Sequence, residues 1–314
     1  MKNFININDV FDYNKLLNEA LDLKKNEIDI TTGKNKTLGL IFFNPSLRTR
    51  LSSYKAAHNL GMNVIEMNFD KQGWKLEFNN NVIMNSNKAE HVKEAAQVIS
   101  QYCDIVGIRS FASLKNKKID EKETIIKSFK KYGTIPVINL ESSCYHPLQA
   151  LADAITINEM VKKKNPKIIL SWTPHVKPLP HAVANSFINM ANRLNYDIKI
   201  SNPKGYNLNE NITKGIEIIN DQEEAFKDAD IIYAKNWSSY DEYGKIIKTE
   251  KSWTIDKNKM NLTNNAIFMH CLPVRRNVVV KDEVLDSNRS VVIEQSKNRI
   301  YSAQIILKKI INEI

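Results

Sequence analysis

Glycine is scarce, with nine in 314 residues. No G-x-G-x-x-G turn follows any strand-like run, so the phosphate-binding fingerprint of a nicotinamide-dependent dehydrogenase is missing. Cysteine is scarcer still: Cys103, Cys144 and Cys271. An odd, sparse set makes no disulfide framework, and without a C-x-x-C pair nothing suggests structural zinc. No segment reaches the roughly 18 consecutive apolar residues that a membrane helix needs, and no N-terminal apolar stretch resembles a signal peptide. A cytoplasmic protein with no membrane partner is the expectation. Internal repeats and low-complexity linkers are lacking too.

What is present is the balance of a globular protein, 42% apolar and 25% charged residues, in a chain long enough for two α/β domains. Lysine and arginine (45) outnumber aspartate and glutamate (35), for a formal charge of +10. Such an excess suits either a nucleic acid or a small anionic substrate. The lysines are scattered beside asparagine and isoleucine, and no basic tract alternates with stacking aromatics, so no nucleic-acid partner is expected.

Strand-like apolar runs fall at residues 38–43, 63–67, 105–108, 136–140, 167–172, 197–201, 230–234 and 266–270. Helical periodicity marks 52–60, 91–102, 123–132, 148–163, 182–194 and 209–219. The alternation predicts an α/β protein, two doubly wound parallel-sheet domains joined by interdomain helices, four strands in each sheet. Residues 1–145 form the expected first domain and 146–299 the second. A C-terminal helix at about 300–314 packs back across the junction and completes the first domain, and 148–163 is the bridging helix. Open α/β sheets bind ligands at the carboxyl ends of their strands, so chemically loaded segments should follow strands. They do.

After the first run comes Ser46-Leu47-Arg48-Thr49-Arg50. Ser46 suits an N-cap. A helix N-terminus with unpaired N–H groups, hydroxyls and an arginine makes a phosphate cradle without a glycine-rich loop. A capped helix with solvent-facing arginines would give the same string. Arg109 ends the third run, where it faces a ligand or forms a surface ion pair. His146-Pro147-Leu148-Gln149 follows the fourth. Pro147 suits a first helical position, and His146 and Gln149 lie three apart, able to face one ligand and polarise a carbonyl. A histidine N-cap is the plainer alternative. His270-Cys271-Leu272-Pro273 follows the last run. Neighbours at a strand end point apart, so His270 is a poor base for a Cys271 nucleophile. Main-chain carbonyls there could instead accept hydrogen bonds from an NH2 group.

These segments, in this order and spacing, resemble the signature of the aspartate/ornithine carbamoyltransferases over essentially the whole chain. The resemblance implies a carbamoyl-phosphate domain, an amino-acid domain, a homotrimer, and neither metal nor cofactor. It implies that Ser46, Leu47, Arg48 and Thr49 hold the phosphate. Arg109, His146 and Gln149, with Pro147 and Leu148, hold the carbamoyl group, and Arg109, His146 and Thr49 are catalytic. Cys271 and Leu272 lend carbonyls, Arg299 adds a cation, and Trp74 reaches into a neighbouring subunit's site.

The second half resembles the family's N-acylornithine branch. Where free-ornithine members carry an aspartate for the α-ammonium, this chain has Lys235 in Tyr233-Ala234-Lys235-Asn236-Trp237. A like charge there repels a free α-ammonium but suits the carboxylate of an acylated substrate. A solvent-facing lysine is the alternative. The likeness implies Glu141, His175, Lys235 and Arg275 as acylornithine contacts. A His175/His181 metal pair lacks a third ligand. Ala89 stands where acetyl-type relatives have glutamate and succinyl-type relatives proline. It matches neither, yet it removes a repulsive carboxylate, so succinyl is favoured over acetyl.

Overall fold

The computed structural model describes residues 1–26, 29–69, 73–247 and 251–314. Its chain divides into two compact units: Met1–Ser113, Lys117–Leu148 and Arg299–Ile314 in unit 1, and Leu114–Asn116 and Gln149–Asn298 in unit 2. The division falls at Leu148/Gln149 rather than at the expected 145/146. His146, Pro147, Leu148 and Arg299 therefore belong with unit 1.

Unit 1 contains β1 (Thr37–Phe42), β2 (Asn63–Asn68), β3 (Lys75–Glu77), β4 (Lys88–His91), β5 (Ile105–Arg109) and β6 (Val137–Glu141). Four of these make a parallel sheet in the order β2-β1-β5-β6, while β3 and β4 pair by themselves. β5 and β6 are buried along their whole length, as strands covered on both faces must be. Ile41, Val106, Ile108 and Val137 pack with Ala95, Ala96, Ile126 and Phe129 of the covering helices. Truncating the fully buried Ile41 to alanine would cost about 2–5 kcal/mol.

Register brings the strand ends together. Phe42 pairs with Arg109, and Arg109 with Glu141. Between Ile108↔Asn139 and Arg109↔Glu141 the pairing skips Leu140, a bulge of one residue on β6. Leu140 packs on Gly107, where an added Cβ would come within 3.1 Å of it. Connections from β1 and β5 leave in opposite directions across the sheet, so the topological switch point lies between them.

Unit 2 repeats the plan with β7 (Lys167–Trp172), β8 (Asp197–Ser201), β9 (Ile218–Ile219), β10 (Ile231–Lys235) and β11 (Ile267–Met269), in the parallel order β11-β10-β7-β8-β9. Here the switch point lies between β7 and β10, whose ends pair Trp172 with Lys235. The helices Pro147–Met160 and Val292–Ile311 each contribute residues to both units.

All eight expected strands form, and both sheets are parallel. The helix expected at 209–219 does not. It stops after Glu210–Thr213, because Gly215 turns the chain at φ +79° and the β-branched Ile218–Ile219 then joins the sheet edge as β9. The helix expected from residue 52 starts earlier, at Leu47, directly after its Ser46 cap. The C-terminal helix begins at Val292, ahead of the expected 300.

Candidate functional site

Ser46 caps the Leu47–Asn59 helix, its Oγ accepting from the Thr49 amide at 3.3 Å. That leaves the remaining first-turn N–H groups directed beyond the carboxyl end of β1, with the positive end of the helix dipole behind them. The preceding loop is tied to the β5 end: Asn44 Oδ1 accepts from the Phe111 amide at 2.6 Å, and Phe43 donates to the Arg109 carbonyl at 3.0 Å.

Thr49 is buried, and two guanidinium groups converge on its hydroxyl oxygen. Arg299 Nη2 donates from 2.6 Å and Arg109 Nη1 from 3.4 Å. Arg109 Nη1 also donates to Glu141 Oε2, and His146 Nε2 lies 3.4 Å from that same oxygen. Arg109 stacks its guanidinium 4.2 Å over the Phe111 ring. Its Nε is buried without a hydrogen-bond partner among the described residues. Two buried arginines thus meet one hydroxyl beside a helix N-terminus. Such an arrangement can bind a multiply charged oxyanion and stabilise negative charge growing on a carbonyl oxygen. Arg48 is half-buried, whereas Leu47 is exposed on the helix surface.

The loop from Glu141 to His146 is fixed from beneath. The buried Glu123 carboxylate accepts from Ser142 Oγ and, at 3.0 Å, from the Cys144 amide. Burial pushes the Glu123 carboxyl up. Burial also pushes the Cys144 thiol up to about 12, the nearby Glu123 adding to it, so this cysteine is no thiolate nucleophile. Pro147 opens the next helix, with Leu148 and Gln149 buried in its first turn.

In unit 2, Lys235 ends β10, its carbonyl accepting from the Thr173 amide at 3.2 Å. The side chain is 7% exposed, and no carboxylate among the described residues lies in ion-pair range of it. His175 follows β7 in the Thr173-Pro174-His175 turn. Its Nε2 accepts from Arg275 Nε at 3.2 Å, and its Nδ1 lies 2.8 Å from the Lys177 carbonyl. The same Nδ1 lies 3.1 Å from the Lys177 amide, so the main chain of Lys177 brackets it. Burial, then the positive charge of Lys235 and Arg275, pulls His175 below the ordinary histidine range. A buried lysine with no ion-pair partner among the described residues, grouped with an arginine bonded to a histidine, can receive a carboxylate. A small cavity lined by Trp172, His175, Tyr206, Asn236 and Trp237 adjoins it.

The His270-Cys271-Leu272 turn is also built from hydrogen bonds. His270 Nδ1 accepts from the Leu272 amide at 2.9 Å, so the ring holds its own turn instead of serving Cys271. The Leu272–Pro273 peptide is cis. His181, considered with His175 for a metal, contacts the Ser238 carbonyl through Nε2 at 2.8 Å.

Ala89 is exposed on β4. Its neighbour Glu90 accepts from the indole N–H of Trp74 at 2.8 Å, and Lys88 pairs with Glu77 at 2.8 Å. The Lys88 bond, with those from the Asn79 and Phe78 amides, holds the Glu77 carboxyl down, to about 2. Ser46, Arg109, Arg299, Glu141 and His146 thus connect around Thr49 in unit 1, Trp74 and Ala89 stand apart at the β3–β4 pair, and Lys235, His175 and Arg275 group in unit 2. Glu141 stands with Arg109 and His146 in unit 1. Sequence reasoning missed Asp153, Gln295 and Glu123, each a buried polar residue with a partner in a distant segment.

Two family models match. The aspartate/ornithine carbamoyltransferase carbamoyl-P binding domain covers residues 2–159, and the Asp/Orn binding domain of the same family covers 180–310. N-succinylornithine carbamoyltransferase of Bacteroides fragilis is 46% identical, with 100% of each chain covered. N-acetylornithine carbamoyltransferase of Xanthomonas campestris is 34% identical over 100% of this chain and 98% of its own. Among solved structures, a glutamate-to-proline variant of N-acetyl-L-ornithine transcarbamylase, complexed with carbamyl phosphate and N-succinyl-L-norvaline, superposes with a TM-score of 0.93. It is 33% identical and covers 99% of this chain and 100% of its own. The glutamate-to-alanine variant, with the same two ligands, gives 0.91 at 33% identity, with the same coverage.

Proposed function

Because this chain belongs to the aspartate/ornithine carbamoyltransferase family, we propose that it transfers the carbamoyl group of carbamoyl phosphate to the side-chain amine of N-succinyl-L-ornithine. The products are N-succinyl-L-citrulline and phosphate, a step of arginine synthesis. The convergence of Arg109 and Arg299 on Thr49 at a helix N-terminus carries the first half of this reading. The unpaired Lys235 beside Arg275 and His175 carries the second.

Ser46, Leu47, Arg48 and Thr49 receive the phosphate, with Arg299 as a further cation. Arg109, His146 and the Thr49 hydroxyl stabilise the charge that builds on the carbamoyl oxygen. Gln149, presented by the turn through Pro147 and Leu148, and the carbonyls of Cys271 and Leu272 hold the carbamoyl NH2. Lys235, Arg275 and His175 hold the acceptor's carboxylate end. Glu141, tied to Arg109, lies at the reacting end of the acceptor. The δ-ammonium, with a lysine-like reference pKa of about 10.4, gives one proton to solvent, and the free amine attacks the carbamoyl carbon. The tetrahedral intermediate then expels phosphate, which takes the second proton from the attacking nitrogen. Bringing the two reactants together and excluding water supply much of the acceleration.

The acyl preference rests on Ala89, where a glutamate would oppose the succinyl carboxylate. Relatives in which a glutamate is replaced by proline, alanine, valine or serine, each complexed with N-succinyl-L-norvaline, fit that reading. So does the 46% identity to two N-succinylornithine carbamoyltransferases, against 34% for an N-acetylornithine enzyme.

A cytoplasmic homotrimer completes the proposal, with Trp74 shared into the neighbouring site. Leu47, Leu51 and Tyr54 support it: they lie at helical spacing on one exposed face and offer an apolar stripe to a second subunit. Trp74 is 59% exposed, with its indole N–H bonded to Glu90. Among the described residues, no helix is long and apolar enough to cross a membrane. The deciding experiment offers ornithine, N-acetylornithine and N-succinylornithine in parallel with carbamoyl phosphate. Formation of N-succinylcitrulline from the succinyl substrate supports the reading, and turnover of free ornithine alone would reject it.

A further inference from the structure

Asp153 lies on the Pro147–Met160 helix, one turn after Gln149, and is 0% exposed. Its Oδ1 accepts from Gln149 Nε2 at 2.8 Å and from Gln295 Nε2 at 2.8 Å. Gln295 in turn accepts the His270 amide on its Oε1 at 2.9 Å. Thus one carboxylate oxygen joins the Gln149 side chain to the main chain of the His270-Cys271-Leu272 turn, through a buried path of side chains within unit 2.

A glutamine amide has a donor end and an acceptor end of nearly the same shape, and only its partners decide which way it faces. An oxygen that receives two N–H donors fixes both amides at once. The NH2 of Gln149 must face Asp153, so its Oε1 turns the other way. That Oε1 is buried and has no hydrogen-bond partner among the described residues. Likewise the NH2 of Gln295 must face Asp153, which turns its Oε1 toward the His270 amide. Leucine at position 153 would fill the space but leave either amide free to rotate.

We propose that Asp153 is the positioning residue that makes this site select a carbamoyl group over other acyl phosphates. It turns the acceptor end of Gln149 toward the ligand and, through Gln295, anchors the turn whose carbonyls accept from the same NH2. Acetyl phosphate carries a methyl group in place of that NH2, and a buried carbonyl oxygen facing a methyl group is left unsatisfied. The inference rests on the reading that Gln149 and the Cys271-Leu272 carbonyls receive the carbamoyl amine.

Calorimetric titration of the full-length protein with carbamoyl phosphate, acetyl phosphate and inorganic phosphate tests it. The wild type is expected to favour carbamoyl over acetyl phosphate by about 10- to 100-fold. In Asp153→Leu that ratio is expected to collapse to within a few-fold while inorganic phosphate binds as before. Asp153→Asn keeps the shape and can present either end of its own amide, so it should give an intermediate ratio. A role confined to stability would weaken all three ligands together and leave the ratio unchanged. An unchanged ratio in Asp153→Leu overturns the proposal, and should that variant not fold, an unchanged ratio in Asp153→Asn overturns it. Failure of the wild type to bind carbamoyl phosphate at all would instead reject the functional reading itself.

Discussion

Arg299 donates from Nη2 to the hydroxyl oxygen of Thr49 over 2.6 Å, although 250 positions separate them in the chain. The C-terminal helix thus supplies a cation to a helix N-terminus formed near the start of the sequence. Arg299→Gln keeps a donor but removes the charge. Carbamoyl phosphate should bind about 10- to 100-fold more weakly, the worth of a charge-assisted hydrogen bond. The KM for the acceptor should change little. Steady-state kinetics with each substrate varied in turn separates the two effects.

Arg109 is bonded to both Thr49 and Glu141. Arg109→Ala should lower kcat/KM by about 10²- to 10³-fold, as loss of an oxyanion donor does. It also leaves Glu141 buried without its cation, which should cost about 3 kcal/mol of stability. Urea denaturation of the variant measures the second effect independently of catalysis.

Lys235 faces no carboxylate of its own chain among the described residues. Lys235→Asp should reduce kcat/KM for the acylated acceptor by on the order of 100-fold or more, since attraction becomes repulsion in a half-dry pocket. Unchanged kinetics in an acceptor titration would detach Lys235 from the substrate carboxylate.

Ala89→Glu adds a carboxylate to β4 beside Glu90, which Trp74 already engages. Use of N-succinylornithine should fall at least about tenfold while N-acetylornithine stays within a few-fold, like charge being the discriminator. Competition between the two acceptors in one reaction reads this ratio directly.

His175 titrates below its ordinary value of 6.5, chiefly because it is buried, with Lys235 and Arg275 adding repulsion. The unfolded chain therefore takes up this proton at a higher pH than the folded one. Stability from neutral His175 is fully present above about pH 6.5 and is lost as pH falls through the lower folded value. Ring resonances followed by NMR should show the depressed titration, and His175→Gln should flatten the acid limb of Tm against pH.

The eight strands were legible because each is a short run rich in apolar residues, either unbroken or interrupted by a single polar residue such as Glu66, Asn139 or Lys199. β9 was not, since two isoleucines make no pattern, and a helical reading ran on through Gly215. Ser46 was legible as a cap because N-caps depend on local chemistry alone. Asp153 was not, because an aspartate in an apolar helix shows its purpose only when Gln295, 142 positions away, lies beside it. Glu141 was assigned to the acceptor by resemblance, and its pairing with Arg109 depends on strand register, which no local pattern encodes. Arg299 came from resemblance alone.

The unpaired Leu140 on β6 limits how this gene can change. Side chains alternate along a strand, so losing one codon between Val137 and Leu140 would carry Glu141 to the opposite face and bring an aliphatic residue against the Arg109 guanidinium. Insertions in the surface loops beyond the helices would leave that alignment intact. Variation in length should therefore collect away from this strand, and a library that tolerates substitutions within it should still reject single-residue deletions.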